Sequence, residues 1–181
     1  MDIESLVKRT MAGDKQAFHG IVKHFERPLF GFLGRMGLSQ SHAEEIAQET
    51  FLRAWSKLGE YRPEVAQFST WLFTIARNLA LHELSRAASQ RESTIGEDLD
   101  QVICGRPKPP DELVKAQQRR LVQAALLELS PTDRSALALA YIKDLDLTTI
   151  ARIEGRTMGV IKTRLHRARK RLRQLLEMCD E

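Results

Sequence analysis

The segment from Val160 to Arg173 constrains this chain more than any other, because it holds seven Lys or Arg residues and no acid. Through it and just beyond, Ile161, Leu165, Ala168, Leu172 and Leu175 recur at steps of three and four. That spacing gathers the apolar residues on one stripe of an α-helix and leaves Lys162, Thr163, His166, Arg167, Lys170 and Arg171 on the other side. Such a helix must bury its stripe against a core. Its cations repel one another and are stabilised by a polyanion on the open side.

Upstream, Thr148–Glu154 reads as a short helix, Gly155 as the residue free to take a positive φ, and Thr157 as the cap of the long helix. Helix, glycine turn, helix is the arrangement that lays a second helix in a DNA major groove. The fit is physical, since a helix is about 10–12 Å across and the groove about 12 Å wide. Lys and Arg can bond guanine, Thr can bond several bases or touch a thymine methyl, and flanking Arg residues can hold phosphates. The residues expected at DNA are Lys162, Thr163, Arg164, His166, Arg167 and Arg171. The plain alternatives are a solvated basic helix and, for His166, a simple surface residue.

Composition agrees with a helical globular protein. Of 181 residues 43% are apolar and 29% charged, with 10 Gly and 6 Pro, too few for a disordered or collagen-like chain. The formal charge is only +4, but 13 of the 28 Lys and Arg lie in 116–181 against 8 of the 24 acids. Cys104 and Cys179 stand far apart without His at ligand spacing, so neither a zinc site nor a disulfide framework is indicated and no cofactor is expected. The N-terminus MDIESLVKRT is not a signal peptide, and no stretch approaches the ~20 apolar residues of a membrane span. A cytoplasmic protein without membrane insertion is expected.

Two helical units are legible. From Ile3 to Ser85 apolar residues recur at helical spacing. Asp14 opens a helix with Ala17, Phe18, Ile21, Val22 and Phe25, and Pro28 is placed in the first turn of the next. Ser41 and Glu44 have capping-box spacing, followed by Phe51, Trp55 and Leu58 as a buried stripe. Another helix begins near Ser69 or Thr70 and carries Leu72, Ile75, Ala76 and Leu79. The period lapses between Ala87 and Pro110, where Ser, Gly, acids and prolines suggest a flexible linker. After Asp111 a long helix carries Leu121, Ala125, Leu126 and Leu129, and Ser130-Pro131 starts the next. The fold expected is all-α, two small helical domains over 1–88 and 111–181 joined by a linker over 89–110, with the helix-turn-helix in the second.

Two stretches in each half carry a resemblance. AEEIAQETFLRAWSKL (43–58) with FSTWLFTIARNLALHELSR (68–86), and LLELSPTDRSALALAYIKDLDLTTIA (126–151) with GVIKTRLHRARKRL (159–172), resemble regions two and four of the extracytoplasmic-function sigma factors. The resemblance implies a subunit that binds core RNA polymerase and directs promoter-specific initiation, with an anti-sigma factor as its restraining partner. It assigns polymerase binding to Glu45, Gln48, Glu49, Leu52 and Arg53. It assigns opening of the minus-ten element to Tyr61, Arg62, Trp71, Arg77 and Asn78, with Trp71 either a wedge in the duplex or a core residue. The helix-turn-helix falls to the minus-thirty-five element. Three features depart from the family pattern: the loop EYRPEVAQ is longer by about one residue than the commonest form, the helix-turn-helix has Arg156 in the turn in place of an apolar residue and Thr148-Thr149 in place of an acidic pair, and His82 stands where many relatives have Asp or Asn.

Two other classes compete with that reading. A conventional helix-turn-helix regulator would bind an operator without polymerase, but leaves the AQETFLRAW stretch unexplained. A helical enzyme finds no P-loop, no Ser/His/Asp set and no metal-spaced His pair.

Overall fold

The computed structural model describes residues 2–93, 110–142 and 145–178, and every regular element among them is helical. The first group is α1 (Ile3–Met11), α2 (Lys15–Arg35), α3 (Gln40–Ser56), a 3-10 turn at Leu58–Glu60 and α4 (Phe68–Ser93). The second is α5 (Pro110–Leu127), α6 (Pro131–Ala140), α7 (Leu147–Glu154) and α8 (Met158–Glu177). Helix α4 runs beyond residue 89, where the linker was expected to begin. The remainder of that expected linker, 94–109, lies outside the described residues, as do Asp144, Cys104 and Cys179.

In the first group α2 packs on α1 and α3, and α3 packs on α4. Its core is Ile21, Leu29, Phe32 and Leu33 of α2 against Ala47 and Ala54 of α3 and Leu72, Phe73 and Ala76 of α4. Phe32 and Phe73 meet edge-on with ring centroids 5.8 Å apart. Each such large side chain stabilises the bundle by about 1.5–3 kcal/mol on burial.

Three local expectations are corrected. Pro28 lies inside α2 rather than in the first turn of a new helix. Ala17, Ile21, Phe25, Leu29, Phe32 and Leu33 form one unbroken buried face across it, and that packing outweighs the hydrogen bond a proline removes. The cap of α3 is Ser39, whose hydroxyl accepts from the His42 amide at 3.3 Å, and not Ser41. The buried face of α3 is Ala43, Ile46, Ala47, Thr50 and Ala54, so Phe51 is half-buried and Trp55 is 38% exposed. Small residues let α3 approach its neighbours closely and push the aromatics to the rim.

In the second group Ser130 caps α6 with Pro131 in its first turn, Asp146 caps α7, and Thr157 caps α8. Gly155 ends α7 at φ 62°, in the left-handed region that favours glycine, and the chain turns directly into α8. Helix α8 buries Ile161, Leu165 and Ala168 against α5, α6 and α7, with Leu172 and Leu175 half-buried.

The two groups touch along a seam that nothing in the sequence specifies. Helix α4 lies against α6 and α7, and α2 against α6. Gln123 Nε2 donates to the Gly34 carbonyl at 2.8 Å, and the Arg35 guanidinium lies over the Tyr141 ring, 5.8 Å from its centroid. Gly37, at φ 91°, closes the end of α2 so tightly that a Cβ there would overlap the side chains of Arg134 and Leu127. Arg134 is only 7% exposed at this point, and its burial lowers the pKa of its guanidinium.

Candidate nucleic-acid interface

The exposed face of α8 follows from its helical period. Lys162, Thr163, His166, Arg167, Lys170 and Arg171 are all exposed while the apolar stripe between them is buried. Thr163 donates its hydroxyl to the Gly159 carbonyl at 3.0 Å, which fixes its rotamer and leaves both lone pairs of the oxygen able to accept. The first turn of α8 adds residues the sequence reading did not single out. Met158 is 50% and Val160 46% exposed, and beside them lie Thr148, Arg152 and Arg156 around a shallow apolar depression. Val160 falls off the stripe through Ile161 and Leu165, whereas Met158, three before Ile161, continues its spacing and carries no local signal of exposure.

Arg164 is placed elsewhere. Its Nη1 bonds Glu154 Oε2 at 3.0 Å and its Nε lies 3.7 Å from Asp133 Oδ1, with the side chain 16% exposed. It braces α8 on α6 and α7 instead of joining the open cationic face. Its position, three after Ile161, is on the flank of the buried stripe.

The loop from Glu60 to Gln67 and the start of α4 carry the second set. Tyr61 is buried, donates its hydroxyl to the Ala66 carbonyl at 3.0 Å, and packs against Phe68 and Trp71 with ring centroids 5.5 and 5.3 Å away. Burial pushes its phenol pKa up, with Glu4 and Glu64 adding to the shift. Tyr61 therefore shapes the loop. Trp71 is half-buried, and Arg62 is exposed, donating to the Gly59 carbonyl at 3.1 Å. A groove of about 940 Å³ opens beside this loop, lined by Arg27, Tyr61, Pro63, Gln67 and, from the other group, Tyr141 and Ile142.

Asn78 is exposed and accepts from Arg77 Nη1 at 3.3 Å. Arg77 itself reaches across the seam. Its Nε and Nη2 donate to Glu154 Oε1 and Oε2 at 2.9 and 3.0 Å, a two-pronged pairing with a carboxylate that is fully buried. Ser135 also donates to Glu154 Oε1. Glu154 was not among the residues expected to matter; its partner lies 77 positions away, beyond the reach of any local pattern.

On α3, Glu45, Gln48, Leu52 and Arg53 are exposed and Glu49 is half-buried. Leu52 is 63% exposed, beside an Arg53–Glu49 ion pair at 2.6 Å. An exposed leucine and tryptophan within a charged surface form a small apolar centre with a polar rim, as a docking face requires.

The matched families follow the same division. Sigma-70 region 2 matches residues 21–90, and sigma-70 region 4 matches 119–172. The chain is 31% identical to the ECF RNA polymerase sigma factor SigW of Bacillus subtilis over 97% of both chains. It belongs to the extracytoplasmic-function sigma factors. The sigma factor RpoE of Cereibacter sphaeroides is 34% identical over 89% of this chain and 87% of its own. Among solved structures, the sigma factor RpoE of Bartonella quintana in complex with the anti-sigma factor NepR superposes with a TM-score of 0.72, at 26% identity over 88% of this chain and 96% of that one. The CnrH chain of its complex with the cytosolic domain of CnrY shares the fold, with a TM-score of 0.74 at 22% identity over 98% of this chain and 99% of that one. As a sigma factor the chain gives RNA polymerase its choice of promoter. No helix among its described residues is long and apolar enough to cross a membrane.

Proposed function

We propose that this sigma factor divides promoter recognition between its two helical groups, taken as domains over 1–88 and 111–181 with a linker over 89–110. The face of α3 with Glu45, Gln48, Glu49, Leu52 and Arg53 docks on core polymerase. Arg62, Trp71, Arg77 and Asn78, around a loop shaped by Tyr61, hold the opened minus-ten strand. Unstacking a base costs a few kcal/mol, and aromatic rings beside cations offset that cost. Lys162, Thr163, His166 and Arg167 read bases of the minus-thirty-five element, with Arg171 on phosphate. An anti-sigma factor restrains the whole, as NepR is bound to the Bartonella quintana relative.

The observation that carries this reading is the acid-free open face of α8 behind a left-handed glycine turn, joined in one chain to the exposed Leu52 face. The test is run-off transcription with purified core polymerase, using promoter fragments recovered by the holoenzyme from random-sequence DNA. The expected outcome is initiation at one promoter class only when the chain is added. Tight operator binding by the chain alone, with no initiation in the presence of core polymerase, would instead make it a conventional helix-turn-helix regulator.

A further inference from the structure

We infer that Glu154 is the latch of a self-closed form, and that it competes with promoter DNA for Arg77. The inference rests on the proposed assignment of the two groups to the minus-ten and minus-thirty-five elements. Those elements are about 25 base pairs apart, which at about 3.4 Å each separates them by about 85 Å of duplex. The groups here lie in van der Waals and hydrogen-bonding contact, α4 on α7 and α2 on α6. One closed molecule therefore cannot occupy both elements, and closure must be undone before a promoter is bound.

The seam has the chemistry of a device that opens. Beside an apolar contact in which the buried residues of both groups join in one cluster, it carries a buried ion pair: Arg77 is 14% exposed and Glu154 is fully buried. Glu154 accepts from Arg77 twice, from Arg164 and from Ser135, which fills the roughly four acceptor positions of a carboxylate. Ser135 and Arg164 belong to Glu154's own group and keep the carboxylate aimed when the groups part. Arg77 is the one partner that leaves. A phosphate, through two of its oxygens, can take the same two-pronged guanidinium, so the strand that Arg77 is proposed to hold and the latch exclude each other. Closure also brings Tyr141, Ile142 and Leu145 into the groove lined by Tyr61, Pro63 and Gln67, so the minus-ten loop is walled by the other group.

The experiment uses the full chain without polymerase. Small-angle scattering gives its radius of gyration, about 16 Å for a compact chain of this length. Fluorescence anisotropy gives its affinity for a promoter fragment recovered by the holoenzyme. Glu154→Gln keeps the shape and removes the charge, and Gln123→Ala removes a seam hydrogen bond remote from every residue assigned to DNA. The inference expects a compact wild type, a larger radius for both variants, and promoter binding about tenfold tighter for Glu154→Gln and tightened by a smaller factor for Gln123→Ala, because less of the population is closed. A wild type that is already extended overturns it. So does a Glu154→Gln chain of unchanged helical content that keeps the compact radius and the wild-type affinity. Where Glu154→Gln loses helical content, an unchanged radius in Gln123→Ala overturns the inference. Failure of the proposed function is seen separately, as absence of initiation by the wild type with core polymerase, and leaves the scattering result standing.

Discussion

Phe18 of α2 and Trp55 of α3 meet edge-on, ring centroids 4.9 Å apart and planes inclined at 64°, at the border between the first core and the open face of α3. In the proposed docking Trp55 has two duties, and Leu52 one turn earlier has one. Leu52→Ala should change folding stability by no more than about 0.5 kcal/mol, as at other exposed positions. Its affinity for core polymerase should fall about tenfold, equivalent to about 1.4 kcal/mol. Trp55→Ala should lose binding as well and also cost at least about 1 kcal/mol of stability, through the lost ring pair and its buried area. Chemical denaturation and a core-polymerase pull-down titration on the same preparations separate the two effects; equal binding by Leu52→Ala and wild type would remove this face from the docking surface.

On α8 the expected pattern distinguishes base reading from charge. Lys162→Ala or Arg167→Ala in the holoenzyme should cost about 1–3 kcal/mol and relax preference at particular minus-thirty-five bases. Arg171→Ala should weaken all sequences alike and lower the salt slope by about one. Arg164→Ala should act differently from all three, losing stability of the second group because Glu154 and Asp133 lose their partner. Affinities for single-base promoter variants at several salt concentrations, with a thermal melt of each protein, give the comparison. A uniform loss for Lys162→Ala and Arg167→Ala would make α8 a phosphate clamp.

How much of this was legible depends on the range of the signal. The helix-turn-helix was read correctly because its determinants are local: Thr157 at the cap, Gly155 at positive φ and a stripe at helical spacing. Ser130 and Pro131 were read for the same reason. Pro28 was misread because a proline's local preference points to a break, while the face from Ala17 to Leu33 that overrides it is visible only when α3 and α4 are packed against it. Periodicity grouped Trp55 with Phe51 and Leu58, whereas the buried face of α3 runs through Ala43, Ile46, Ala47, Thr50 and Ala54 and leaves Trp55 at its rim. Arg77 is assigned to DNA by the resemblance and Arg164 as a cation of the basic helix, and the carboxylate that holds both is distant from Arg77 in sequence.

Two glycines at positive φ make a matched pair. Gly155→Ala places a Cβ in open space, so its cost is the backbone strain alone, about 1–2 kcal/mol. Gly37→Ala carries similar strain and also drives a methyl group into Arg134 and Leu127. The expected result is a lowered melting temperature for both variants and an enlarged radius of gyration for Gly37→Ala only. Equal radii would mean that the end of α2 yields without moving α6.

Acid should loosen α7 in a defined direction. The Thr149 hydroxyl and amide, both bonded to the Asp146 carboxylate, hold its pKa below the ordinary value. A lowered folded pKa contributes stability that is fully present above the unfolded value of about 3.9 and is lost as pH falls through the folded one. Asp146→Asn, which still caps, should remove this part of the acid dependence. Helical circular dichroism of both proteins between about pH 5 and 2 reads the difference; superimposable curves would show that the Asp146 charge contributes nothing there.

The Arg77–Glu154 pair also sets an order of events during synthesis. Its two residues are 77 positions apart, and at about 5–20 residues per second the ribosome adds that length in about 4–15 s. The helices of the first group, α1 to α4, are complete before any residue of α7 exists. Each nascent chain therefore spends seconds with its Leu52 face made and Glu154 not yet there to hold Arg77, and reaches the paired form only after α7 has been made.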